Sequence, residues 1–154
     1  MRTNFFLAFL TIFSMSLMSS TCSLDDDGND DDGFDDDGGS IAQIDNTVVD
    51  GKWNVIDFVE DGTDQTYHFN NFEFTFNTNG TLIAANGSTT KNGTWLTGTD
   101  DSTPKLILNF SDSSGPFEEI SEDWHIETAT STLLELRHVS GGDGSVDLLT
   151  FAKN

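Results

Sequence analysis

An all-β fold is what this sequence predicts over residues 51–154: an antiparallel up-and-down barrel of about eight strands. Three observations carry that expectation. Apolar and polar residues alternate with a period of two in short runs, most plainly in "FEFTFN" (Phe72–Asn77) and "KLILNF" (Lys105–Phe110). Asn-Gly pairs and glycine clusters separate the runs, which recur at intervals of 8 to 15 residues; these are hairpin signals. No stretch shows a convincing apolar stripe at helical spacing, so a parallel β-α-β arrangement lacks its helices. Closing such a meander into a barrel removes the sticky edges that an open sheet leaves.

The chain before the barrel divides in two. Residues 1–21 read as a secretory signal: Arg2 supplies the positive start, Phe5–Leu10 through Met18 the apolar body, and Ser19, Ser20 and Thr21 the small residues before Cys22. The apolar part is too short and too broken by Ser and Thr for a membrane span of ~20 residues. An apolar signal, small residues and then the only cysteine of the chain resemble the lipobox of bacterial lipoproteins. That resemblance implies that Cys22 is lipidated and becomes the mature N-terminus. One acyl chain anchors only marginally, so stable anchoring takes several.

Residues 22–50 read as a tether. Asp25–Asn29, Asp30–Phe34 and Asp35–Gly39 are three pentads of the form Asp-Asp-Asp-Gly-Xaa, nine carboxylates in fifteen residues. Such a run cannot bury a core and is expected to be solvated coil, spanning ~30 Å or more once its charges repel. Asp25, Asp27, Asp30, Asp32, Asp35 and Asp37 are candidates for weak Ca²⁺ condensation, without the Asp-x-Asp-x-Asp-Gly order and closing Glu of an EF-hand loop. Ser23–Asp27, directly after the cysteine, resembles the acidic export signal of some Gram-negative lipoproteins, which implies an outer-membrane address at the cell surface.

The strands follow in order. Lys52–Glu60 is the first and Phe72–Asn77 the second. Asn79-Gly80 turns the chain into Thr81–Ala85, and Asn86-Gly87 and Asn92-Gly93 mark further turns before Thr94–Thr97. Lys105–Phe110 puts Leu106, Leu108 and Phe110 on one face. Trp124–Thr128 does the same with Trp124 and Ile126. Leu133–Val139 and Val146–Ala152 close the series around Gly141–Gly144.

Gly51-Lys52-Trp53 resembles the Gly-x-Trp that opens the lipocalin barrel. Phe74–Thr81 and Gly93-Thr94-Trp95 resemble the hairpin and later strand of a bacterial lipocalin-like lipoprotein family. The resemblance covers Gly51 to about Lys153. It implies an extracytoplasmic binding role and assigns no reaction. For the late-strand arginine that packs on the Gly-x-Trp indole, it leaves Arg137, which by alternation shares a face with Glu135.

An interior of eight strands is either just filled by side chains or wide enough for one small ligand. Trp53, Phe74, Phe76, Trp95 and Trp124 are the candidate ligand-binding residues, because aromatics dominate apolar pockets. The competing account is that they fill the core together with Phe72, Leu106, Leu108, Phe110, Ile126, Leu134 and Leu136. His68, His125 and His138 show no metal-ligand spacing, and Glu118, Glu119, Glu122 and Asp123 read as a solvated acidic loop. With no nucleophile motif or phosphate-cradling loop, no enzyme activity, cofactor or metal is expected. A net charge of −21 argues against nucleic acid, whose phosphates need clustered Lys and Arg. The expected function is that of a lipid-anchored, surface-exposed monomer whose barrel binds a small apolar ligand. The alternative is a ligand-free structural or interaction module that contacts a protein or glycan through its loops.

Overall fold

The computed structural model describes residues 40–112, 114–142 and 144–154. The signal segment, Cys22 and the Asp-Gly pentads lie outside the described residues.

The first element is a helix, α1 (Ile41–Val49), in the segment that composition assigns to the tether. Its start is a capping box: Gln43 N–H donates to Ser40 Oγ while Ser40 N–H donates to Gln43 Oε1. Ile44 and Val48, one turn apart, are buried in the core of the barrel. The barrel domain therefore begins before Gly51. With only nine residues and two fully buried anchors, the apolar stripe was too short to stand out beside the acidic run.

The strands are β1 (Trp53–Glu60), β2 (Thr63–Asp64), β3 (Glu73–Phe76), β4 (Thr81–Ala85), β5 (Thr90–Asp100), β6 (Thr103–Phe110), β7 (Asp123–Ala129), β8 (Leu133–Val139) and β9 (Val146–Lys153). A 3-10 turn, Thr66–Phe69, lies between β2 and β3, and a short helix, α2 (Pro116–Glu119), between β6 and β7. All pairings are antiparallel. From β3 onward each strand pairs with the next, and β1 pairs with both β3 and β9, so eight strands close an up-and-down barrel. The two-residue β2 is an addition on the edge of β1. The expected fold class is the one observed.

Two details differ from the expected turns. Asn92-Gly93 is not a turn but lies inside the long β5, where Gly93 pairs with Leu82 on one side and Phe110 on the other. A Cβ there would sit 2.5 Å from the Asn109 carbonyl oxygen, so the glycine serves close strand approach. Gly80, by contrast, has φ +81° and turns β3 into β4 as its Asn-Gly signal predicts.

Closure is uneven around the barrel. β5 and β6 share eight register pairs, whereas β1 and β3 share the single pair Trp53↔Phe74, and β6 and β7 share three. Side chains and excursions fill the two weak seams. Asn54 Nδ2 donates to the Phe72 carbonyl across the first. The stretch between β6 and β7 carries α2, and sends Phe117 and Ile120 into the core. Register places α1 at the end where β1 starts, and α2 at the end where β1 finishes.

Candidate functional site

All five aromatic residues expected to meet a ligand face inward. Trp53, Phe74 and Trp124 are 0% exposed, Phe76 1% and Trp95 8%. Phe74 packs edge-on to Phe151 (5.2 Å between centroids) and to Phe110 (6.2 Å). Phe76 packs edge-on to Trp95 at 5.6 Å and to Phe151 at 6.0 Å. Such edge-to-face contacts are the favoured geometry of aromatic pairs. From the α2 end, Phe117 enters and meets Phe110 at 4.9 Å, Phe72 at 5.1 Å and Phe69 at 5.4 Å. Leu106, Leu108, Leu134 and Leu136 complete the interior, with Ile126 packed against it.

The polar tip of each indole is bonded inside the protein. Trp53 Nε1 donates to the Val48 carbonyl at 2.9 Å, at the end of α1. Trp95 Nε1 donates to the Asn77 carbonyl at 3.0 Å. Trp124 Nε1 donates to the Ile120 carbonyl at 3.0 Å, just past α2. The same bonds fasten both helices and the β3–β4 turn to the barrel.

The cation over the Gly-x-Trp indole is not Arg137. Lys153, the last residue of β9, places Nζ 5.1 Å from the Trp53 ring and pairs with Asp50 at 2.9 Å. Arg137 lies on the outer face of β8, in a depression shared with Glu135. Because β1 closes onto β9 at Trp53↔Lys153, the C-terminal lysine reaches the ring that the resemblance assigned to an arginine.

Two further concavities lie at the barrel ends. A crevice of about 170 Å³ beside α1 is lined by Asp45, Asn46, Val49, Thr78 and the edge of Trp95. Thr97 Oγ1 donates to Asp45 there. At the α2 end, a cleft of about 230 Å³ is lined mainly by Glu60, Asp61, Glu118, Glu119, Glu122, His138 and Asp147. His138, which has no metal-ligand spacing in the sequence, meets two carboxylates here. Its Nδ1 lies 3.5 Å from Asp147 Oδ2 and its Nε2 3.9 Å from Glu122 Oε2. Its ring packs edge-on to Trp124 at 5.9 Å. Asp147 also accepts a 2.9 Å bond from Asp61 N–H, which ties the β1–β2 turn to β9. These groups are up to 86 residues apart, so no spacing motif could have joined them.

The cleft is electrostatically crowded. Burial pushes the Glu60 carboxyl above its ordinary value, and the charges of Glu119, Asp147, Asp61 and Glu118 push it further. Asp123 goes the other way: the Lys105 ammonium donates to it at 2.7 Å and holds its carboxyl below the usual range. The ligand atoms of Glu122, Asp123 and His138 lie within 4.8 Å of one another, the set among the described residues that could close on a divalent cation. Asp123 would first have to give up part of its bond to Lys105. The candidate Ca²⁺ positions of the Asp-Gly pentads and the lipid attachment at Cys22 lie outside the described residues.

No family model matches the chain, and no curated protein matches it. Among solved structures, the chain is similar to a DUF4847 family protein from Bacteroides vulgatus, at 18% sequence identity and a TM-score of 0.50. The match covers 72% of this chain and 97% of that one. At this identity, the likeness concerns the barrel fold alone.

Proposed function

We propose that this protein is a lipid-anchored module of a Gram-negative outer membrane, displayed at the cell surface. Its barrel is a scaffold with a packed interior, and its loops contact a protein or glycan. The observation that supports a ligand-free interior is the bonding of the three indoles. A pocket for an apolar guest needs open apolar walls and a few polar groups facing the guest. Here Phe74, Phe76 and Trp95 pack against neighbouring rings, and every indole N–H already has a backbone acceptor. Burying each large apolar side chain contributes roughly 1.5–3 kcal/mol, reason enough for its presence. The anchor rests on the sequence alone: the signal, the single cysteine after it and the acidic run that follows.

The second reading, a small apolar ligand in the barrel, draws its support from Trp95, the one indole whose edge meets an open crevice. Native mass spectrometry of the full chain, purified from its own host, separates the two. The scaffold reading expects the protein with its lipid and no other small molecule. It also expects no fluorescence from an apolar probe. A co-purifying compound lost in Trp95→Ala would replace it with the ligand reading. In the same host, Cys22→Ser should move the chain from the membrane fraction to the soluble one. An unchanged distribution would refute the anchor.

A further inference from the structure

Nitrogen and oxygen ligands converge in the cleft at the α2 end. Alternation along β8 buries Leu134 and Leu136 and carries His138 into the same inward row, at the mouth of the barrel. Its register partner on β9 is Asp147. Asp147 uses both carboxylate oxygens: Oδ1 accepts the Asp61 N–H at 2.9 Å, and Oδ2 faces His138 Nδ1 at 3.5 Å. A proton on Nδ1 serves that contact and leaves the lone pair of Nε2 for an electrophile. Trp124 packs against the ring at 5.9 Å, so the imidazole is held from two sides while Nε2 faces Glu122 Oε2 at 3.9 Å.

The fold also holds the carboxylate side. Leu108 N–H donates to the Glu122 carbonyl at 3.0 Å, which pins the approach to β7 against β6. Asp123 follows as the first residue of β7. One oxygen from each of these two residues and one His138 nitrogen lie within 4.8 Å of one another. Zn²⁺ binds nitrogen and oxygen ligands at about 2.0–2.2 Å, so side-chain rotations of about an ångström close this set around an ion. Lys105 permits the closure: its Nζ also pairs with Asp100 at 2.9 Å, and keeps that partner when Asp123 turns. The cleft itself is lined by six carboxylates, and its lining includes no Lys or Arg among the described residues. An added cation therefore meets an excess of negative charge.

We infer that Glu122, Asp123 and His138 form a site for a borderline divalent ion of the Zn²⁺ type, with Asp147 orienting the imidazole from behind. The imidazole selects the class of ion. A hard cation such as Ca²⁺ takes oxygen ligands, whereas a nitrogen beside two carboxylates suits Zn²⁺. Water completes the coordination. The ion joins the start of β7 to β8 across the cleft, so its binding stabilises the fold. The inference goes beyond the scaffold reading and depends neither on it nor on the lipid anchor.

Zn²⁺ titration of the full chain, stripped with chelator and held in neutral detergent, tests it. Calorimetry should show one saturable ion per chain that excess Ca²⁺ does not displace, and Zn²⁺ should raise the melting temperature. His138→Gln and Glu122→Gln should each weaken binding by more than tenfold, and Asp147→Asn by about tenfold. Circular dichroism melts without metal would show that the variants keep the fold. Imidazole NMR of the unaltered chain needs no variant: of its three histidines, one ring should shift on addition of one equivalent of Zn²⁺. The absence of a saturable ion, or three unshifted rings, would overturn the inference. Equal affinity in a folded His138→Gln chain would do so as well, because the acidic residues alone would then hold the ion.

Discussion

Trp53 shows how one residue joins several parts of this molecule. Its ring is fully buried, its N–H holds the end of α1, and Lys153 covers its face from the last strand. Trp53→Ala leaves a cavity, an unmatched Val48 carbonyl and an ammonium without its ring. The expected loss is ~3–5 kcal/mol in urea unfolding; an unchanged midpoint would mean that Trp53 is not a core residue. Gly-x-Trp was legible as a barrel start because glycine and tryptophan stand two residues apart in the chain. The cation over the ring was not legible, since Lys153 lies a hundred residues away and only the β1–β9 closure brings it there.

At the scale of elements, the strands were legible and the helices were not. Alternation over Phe72–Phe76 or Leu133–Val139 marks a sheet face with a period of two, and burial follows it residue by residue. α1 has two fully buried anchors, and its Ile44 and Val48 only acquire meaning against the barrel end they cover. α2 is shorter still and rests on Phe117 filling the gap where β6 and β7 part. A chain beginning at Gly51, the boundary suggested by composition, therefore lacks part of its core. It should unfold at lower urea than one beginning at Asp35, by roughly 3–6 kcal/mol for the loss of Ile44 and Val48 and their contacts. Equal stability would show α1 to be dispensable.

Across the whole molecule, charge is concentrated rather than spread. Residues 25–39 carry nine carboxylates, and one end of the barrel gathers five more around Glu60. Glu60 has a raised pKa in the folded state, so its ionisation disfavours folding. That penalty is absent well below the ordinary carboxyl value of 4.5, sets in as pH rises through it, and is complete above the raised folded value. Asp123 has a depressed pKa, so its contribution is present above its ordinary 3.8 and is lost as pH falls through the folded value. Glu60→Gln should therefore raise the melting temperature near neutral pH and leave it unchanged in strong acid. A rise of the same size at both pH values would assign the effect to packing instead of charge.

The sequence by itself determined the class of fold, the positions of most strands, the inward-facing set and the acidic character of the chain. These depend on residues that are near neighbours, through period-two alternation and local turn chemistry. Tertiary structure decided which aromatic rings face each other across the barrel, because strand pairing sets which inward side chains meet. It also decided which cation covers Trp53 and why His138 sits among carboxylates. Each of these is a contact between residues that chain closure brings together, and local pattern carries no information about closure.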